Sequence, residues 1–595
     1  MWLLLVWLGI GMILRFGRLT ALPPWTDECA TIVFSLGNSF RSVSLDGIIG
    51  AEVLLQPLQP PPNAGIGMVI DRLMQESTHP PVYFVLAHLW MKLFPTEGGL
   101  AAIWAARSLP ALLGVASIPA MFGLGYLAFR SRLVGQVAAA IMAVSPYGVY
   151  LAQDARHYTL AILLVIASLC CLVIAARSIE EQKPLPMGIG LIWVGANSLG
   201  IATHYFFTLT LSAQAFVLLG QAWRQRLQKS NALGQPYWRP IYAAAAGTLI
   251  GCLVWLPAFQ SIQGSEPTSW IYDGNPTVEW LEPLGRVLLW ILSMVLLLPS
   301  AVTLLPMGIA IFSGLVTFIV VLWAWPNLVQ GFKHLQQHAD TRLPTQVLGG
   351  YILGAIGLCF AFTYGLGMDL TLGARFQFVY FPAVIVLLGA ILAQRWSSEH
   401  CPQAEQGRIS LQMSQIFSHK ELLPTKNQHL YPSLVALPKS QLVVISLGLM
   451  GLLGSLTVIW NLGYLQNHRP DLLVPIIQKA SQAPVLIATT HKHHGQTGRM
   501  MGLAWEFKRL SQSQDGETNA PKFFLAHRDS KTKSYQAAIE VFQENLSELP
   551  RPLDLWLVDF RTKVDLEAQN CFPDRQYRSS AGEYKYKLYR CIANH

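Results

Sequence analysis

The chain has 595 residues, of which 52% are hydrophobic and 13% charged, about half the charge of a typical soluble protein, which runs near 25%. Its 42 Lys+Arg against 33 Asp+Glu give a net charge of +9, too thin over this length for the clustered basic face that binds nucleic acid. The apolar residues come in long blocks, which excludes a disordered chain, a collagen and a single soluble domain, and predicts a polytopic α-helical membrane protein with a soluble tail.

A spanning helix needs about 20 mostly apolar residues. The first block, 1–22, lacks a basic start and a small-residue cleavage site, so it reads as an uncleaved anchor. Arg15 and Arg18 sit in its outer third. Either they snorkel to the interface, or one faces a water-filled cavity that holds an anion. Clear blocks follow at about 107–128, 133–151, 158–176, 187–205, 207–222, 241–260, 305–325, 346–366, 376–394 and 441–463. Two more are doubtful. Val82–Phe94 is too short to cross, and Arg286–Leu305 follows the Trp-rich WIYDGNPTVEW (270–280), which reads as resting on lipid headgroups in preference to stacking a sugar.

Basic residues at 130, 132, 177, 183, 224–229, 333, 342 and through 395–440 fall on one side if neither doubtful block crosses. The positive-inside rule then gives 11 crossings with a cytoplasmic N-terminus in the cell (inner) membrane; 13 would result if both crossed. Segments 23–106, 152–157, the turn at 205, 261–304, 367–375 and 464–595 are then extracytoplasmic. The expected division is a membrane domain over 1–463, with the external loop 23–106, and an extracytoplasmic domain over 464–595. In that tail, PVLIATT, KFFLAH and DLWLVDF read as buried strands between amphipathic helices, a small α/β domain. Cys571 and Cys591 would be free to pair in an oxidising compartment. HKHHG (491–495) lacks a second ligand group at fixed spacing and is read as no metal site.

On the outer side, polar motifs gather from separate helices: PPWTDECAT with Asp27 and Glu28, STHPPVYF with His79, QDARHY with Arg156, THYFF with His204 and Tyr205, and GARFQFVYFP with Arg375. This mixture suits glycosyl transfer from a lipid phosphate. Fixed Arg and His donors stabilise the charge that develops on the leaving phosphate, and a carboxylate takes the acceptor's proton. No glycine-rich phosphate loop is evident, which disfavours a soluble nucleotide donor. Each residue also has a plain reading: a solvated acidic loop, an interfacial arginine anchor, a turn histidine before Pro-Pro, an interfacial His204–Tyr205 pair.

The order WTDE, HPPVYF, RSLPALLG (107–114), SPYGVYLAQDARHY (145–158), ARFQFVYFP resembles the GT-C glycosyltransferases of the protein O-mannosyltransferase and aminoarabinose transferase type (family 39-like), over roughly residues 1–395. The resemblance implies a GT-C-like fold and an inverting transfer from a polyprenyl-phosphate sugar to an extracytoplasmic lipid, glycan or protein hydroxyl. It implies Asp27 as general base, with Glu28 positioning acceptor or base. Arg156 and Arg375 would lie at the donor phosphate, with His79 at the cavity mouth. Arg15 joins the phosphate-side candidates; His204, Tyr205 and Tyr158 are assigned to the substrate cavity. Where some members place an acidic residue after the arginine of the fourth motif, this chain has His157 and Tyr158, and its acid, Asp154, comes first. No cofactor is certain; a divalent cation shared by Asp27 and Glu28 stays open. The rival readings are a polymerase or ligase of lipid-linked oligosaccharides, a transporter, and a non-enzymatic scaffold for the tail.

Overall fold

The computed structural model describes residues 2–228, 232–258, 266–272, 280–296, 307–397, 438–462, 468–512 and 520–593. Twelve described helices, two of them a bent pair, occupy the eleven predicted blocks: Trp2–Phe16, Ile103–Phe129, the pair Arg132–Ala143 and Pro146–Gln153, Tyr158–Glu180, Met187–Thr203, Phe207–Gln228, Arg239–Leu253, Met307–Gln337, Ala339–Phe360, Phe381–Ser397 and Lys439–Ile459. Five are by themselves long and apolar enough to cross a membrane, and the bent pair makes a sixth. The chain is a polytopic α-helical membrane protein.

Local chemistry sets where these helices stop and bend. The first ends at Phe16, short of the expected Leu22, because Arg18 takes a left-handed backbone (φ 55°). The 54° bend between residues 143 and 146 falls at Ser145–Pro146. Proline lacks the N–H of a continuing helix and is suited to a first helical position, and the Ser145 hydroxyl caps the new start by accepting from Gly148 N at 3.0 Å. The two doubtful blocks form short helices. Val82–Met91 has 10 residues, about 15 Å at 1.5 Å per residue, half of a bilayer core. Glu282–Ser293 has 12, and the end of that block lies outside the described residues.

The tail is an α/β unit as expected, but it does not close by itself. Its sheet has six strands: β1 Ile48–Gly50, β2 Val485–His491, β3 Lys522–His527, β4 Leu553–Val558, β5 Cys571–Ala581 and β6 Tyr584–Cys591, in the order β1-β3-β2-β4-β6-β5. β3, β2 and β4 are parallel, and the others join antiparallel. β1 comes from the loop 23–106, more than 400 positions upstream of its partner. Alternation along the strands supplies two faces. Leu486, Ala488, Phe524 and Leu555 pack under the helix Gln536–Glu548. Ile487, Phe523, Leu525 and Trp556 share a core with the tail helix His494–Ser511 and with Ile32, Phe34, Leu54, Leu73 and Tyr83 of the loop 23–106. The expected boundary at 463/464 lies outside the described residues; the described parts of loop and tail share one core. Cys571 and Cys591, directly opposite on β5 and β6, are joined as a disulfide.

Candidate active site

The helix Thr26–Ser35 begins after Pro23–Pro24 at an extended Trp25, with Asp27 and Glu28 in its first turn, where a helix N-terminus favours negative charge. The two acids then diverge. Glu28 reaches back to Trp25 N (3.3 Å), accepts from Ala155 N (2.8 Å), and receives Arg107 Nε and Nη2, both at 2.7 Å. Arg107 also donates to the carbonyls of Leu19 (2.8 Å), Leu22 (2.9 Å) and Pro23 (3.2 Å). This fork ties the end of the first helix, the acidic helix and the 152–157 turn together.

Asp27 is the acid a substrate can reach: its side chain keeps 27% of its exposure against 1% for Glu28. Its Oδ2 lies 3.3 Å from Arg375 Nη1 and 3.8 Å from Arg156 Nη2. Burial disfavours its charged form, but Arg375 and Arg156 outweigh that and hold the carboxyl below the usual carboxylate range. The Asp27 carboxylate is therefore ionised, with two guanidiniums beside it.

Arg156 is nearly fully buried. Its Nη1 donates to Asp27 O (3.0 Å) and Thr31 Oγ1 (2.9 Å), and its Nη2 faces His79 Nε2 at 3.0 Å. A guanidinium only donates, so His79 Nε2 accepts and its proton sits on Nδ1, facing Ser77 Oγ at 3.2 Å. Burial, then Arg156, pushes the His79 imidazole down to about 3, so it is neutral. Arg375 lies in the first turn of a short 3-10 helix, Ala374–Val379. It is flanked by Trp25, Trp270 and Phe376, with its guanidinium carbon 5.4, 5.6 and 5.8 Å from their ring centroids. Tyr147 OH donates to Ala374 O (3.0 Å), and Gln377 Nε2 donates to Leu370 O (3.2 Å) and Gly373 O (3.1 Å). The Arg286–Asp369 ion pair, 2.5 Å, braces the segment that leads into that helix.

A ring of aromatics closes one wall. His157 lies 4.6 Å from both Tyr158 and His204 and 5.4 Å from His79, centroid to centroid. Tyr158 also carries Arg156 over its face at 5.9 Å. His157 is fully buried, and neither ring nitrogen has a hydrogen-bond partner. Trp25 also lines an open pocket between ends of the first helix and the helix Lys439–Ile459, with Arg18, Tyr150, Asp154 and His468 around it.

Of the residues singled out from sequence, Asp27, His79, Arg156, Tyr158, His204 and Arg375 are thus brought together. Glu28 adjoins them as the anchor of the fork. Tyr205 packs instead against Trp255, 6.1 Å between rings. Arg15 is placed elsewhere: it is fully buried and donates to Met142 O (2.8 Å) and Ala143 O (3.0 Å), the last carbonyls of the helix Arg132–Ala143. It neither snorkels nor faces Asp27; it satisfies a helix end at the bend. Trp270, read as a headgroup contact, stacks on Phe376 beside Arg375 (5.8 Å). Arg107, His157 and Phe376 carry weight that their motifs alone did not announce. The signal for Arg107 is a lone charge at the entry of an apolar block, the helix Ile103–Phe129.

Both Glu28 oxygens receive N–H donors, so Asp27 has no carboxylate partner with which to share a divalent ion. The described residues contain no group of three His, Cys, Asp or Glu able to hold a metal. In HKHHG, His491 meets Thr497 Oγ1 (3.0 Å) and His493 Nδ1 accepts from Gly495 N (3.1 Å), capping the tail helix.

No protein-family model matches the chain, and no curated protein matches it by sequence. Among solved structures it is similar to ArnT from Cupriavidus metallidurans bound to undecaprenyl phosphate, at 14% identity and a TM-score of 0.47, over 100% of this chain and 98% of that one. It is also similar to the oligosaccharyltransferase AglB from Archaeoglobus fulgidus in complex with an inhibitory peptide and a dolichol-phosphate, at 11% identity and a TM-score of 0.42, over 98% of this chain and 73% of that one. Likenesses at this level assign no residue a role, and the functional reading below rests on the chain's own side chains.

Proposed function

We propose that this protein is a membrane glycosyltransferase that moves a sugar from a polyprenyl-phosphate donor to an acceptor hydroxyl on the extracytoplasmic face, with inversion. The observation that carries the reading is a single reachable carboxylate, Asp27, held 3.3 and 3.8 Å from two guanidiniums at the mouths of apolar helices. The acceptor O–H gives its proton to Asp27 while its oxygen attacks the anomeric carbon. The bond to the phosphate oxygen breaks, and the electron pair leaves with the phosphate, whose charge Arg375 and Arg156 stabilise. Neutral His79 keeps Arg156 turned toward the site. A donor with its tail in the bilayer presents its phosphate at this depth. The Cys571–Cys591 disulfide supports an oxidising, extracytoplasmic setting for the tail, and with it a cytoplasmic N-terminus in the cell membrane.

The test is a deletion strain complemented with wild type or Asp27→Asn, followed by mass spectrometry of surface lipids, glycans and glycoproteins. One glycosylated species should vanish in the deletion, return with wild type, and stay absent with Asp27→Asn accumulating normally in the membrane. Its return at wild-type level in Asp27→Asn removes Asp27 as the base.

A further inference from the structure

The tail helix His494–Ser511 runs against the chain immediately ahead of Asp27. Gly498 and Gly502, four apart and so on one helix face, meet backbone there. A Cβ at 498 would lie 3.1 Å from Thr26 O, and one at 502 would lie 2.9 Å from Pro24 O. Neither glycine has a positive φ; what each supplies is the missing side chain. Glycine weakens a helix interior relative to alanine, so two in one contact face are explained by this close approach. Two further contacts join the same surfaces. The His494 ring stacks on Phe40 at 5.2 Å and meets the edge of Phe34, in the acidic helix, at 5.9 Å. Met500, Met501 and Ala504 share a core with Ile32 and Val33.

We propose that the tail helix is a positioning element of the transfer site: through backbone contact at Gly498 and Gly502 it fixes Pro24–Thr26 and so sets Asp27 against Arg375 and Arg156. The proposal rests on the reading of Asp27 as base. Neither glycine touches substrate; the helix acts through the segment it presses on. A displacement of a few tenths of an ångström at Thr26 is passed to the next residue, and misplacement by about 1 Å costs on the order of 100-fold in rate.

The experiment compares full-length wild type, Gly498→Ala, Gly502→Ala, and Lys508→Ala, a control on the same helix whose Nζ donates to Gly98 O. Initial transfer rates are measured with a polyprenyl-phosphate glycolipid extract as donor, with undecaprenyl phosphate as competing inhibitor and thermal unfolding alongside. Both alanine variants should lose at least tenfold in kcat, Gly502→Ala more, while KM for the extract and the inhibition constant stay within twofold. The unfolding midpoint should fall only modestly, because the helix-favouring effect of alanine offsets part of the cost of the close contact. Lys508→Ala should match wild type. Wild-type kcat in both glycine variants overturns the proposal. So does a loss accompanied by a changed KM and a steep fall in the unfolding midpoint, or failure of both variants to accumulate, since each marks a purely structural contact. Asp27→Asn run in parallel separates the two readings: if it is inactive while both glycine variants are normal, only the tail's role fails.

Discussion

Asp27 and Glu28 are adjacent in sequence and opposite in surroundings, so neutralising each has a different consequence. Glu28→Gln leaves Arg107 buried without its carboxylate, and removing one partner of a buried pair costs about 3–5 kcal/mol. That variant should show a much lower unfolding midpoint and poor accumulation, whereas Asp27→Asn should accumulate normally and lose transfer. The general base supplies on the order of 10²- to 10⁴-fold; a Glu28→Gln protein of normal stability would mean the fork is not the anchor described. Asp154 provides a pH signature. Burial and then Glu28 push its carboxyl up to about 8, against the pull of Arg107, Arg375 and Arg156. Between the ordinary carboxylate range and pH 8 the folded state holds a proton that the unfolded chain releases, so stability falls as pH rises through that window. Past pH 8 a new negative charge also appears near Arg375 and Arg156. Wild-type transfer and unfolding midpoint should decline as pH approaches and passes 8, and Asp154→Asn, neutral throughout, should flatten both curves. An unchanged decline in Asp154→Asn assigns the effect to another group.

At the scale of elements, the segment 367–373, which leads into the 3-10 helix Ala374–Val379, determines where Arg375 points. Asp369 pairs with Arg286 and accepts from Thr371 N (3.0 Å) and Thr371 Oγ1 (2.6 Å), while Trp290 Nε1 donates to Thr371 O (2.8 Å). Asp369→Asn weakens the ion pair yet leaves Arg375 in the chain, so it should lower kcat roughly tenfold by misorienting the guanidinium and shift donor KM little. A wild-type rate would show that the segment holds without it. Little of this bracing was legible beforehand. Apolar blocks locate helices because each needs about 20 residues of hydrocarbon-compatible chain, and all eleven were read in place. Motifs located Asp27, Arg156 and Arg375 because few charges interrupt those blocks. Which arginine serves which acid is fixed by packing between segments far apart in sequence: Arg107 and Glu28 are 79 positions apart, and Arg15 and Ala143 are 128. For the same reason Arg15 looked like an anion ligand until the unpaired carbonyls at the bend were visible. The early end of the first helix depends on one positive φ at Arg18, to which hydropathy is blind.

Across the whole molecule, the polar segments that carry the candidate site gather at one end of the helices. Segments around 27, 79, 156, 204 and 375 meet there, and Arg528 of the tail reaches Glu266 at 3.6 Å. On the opposite ends, Arg177 donates to Ala128 O (2.6 Å) and Arg224 to Gln346 Oε1 (2.7 Å). The join that unites loop and tail is β1 with β3, where Gly50 stands opposite Lys522. A Cβ at Gly50 meets only the far end of the Glu52 side chain at 2.9 Å, a group free to move. The double variant Gly50→Cys/Lys522→Cys in the full chain should therefore form a disulfide without added oxidant. Non-reducing electrophoresis after site-specific cleavage between the two positions should keep the fragments together. Transfer should stay within about twofold of wild type, because the bond fixes a pairing the fold already makes. Each single cysteine should release the fragments. Should the double variant release them too, loop and tail are not paired in the membrane, and the shared core that backs Asp27 would be lost with that pairing.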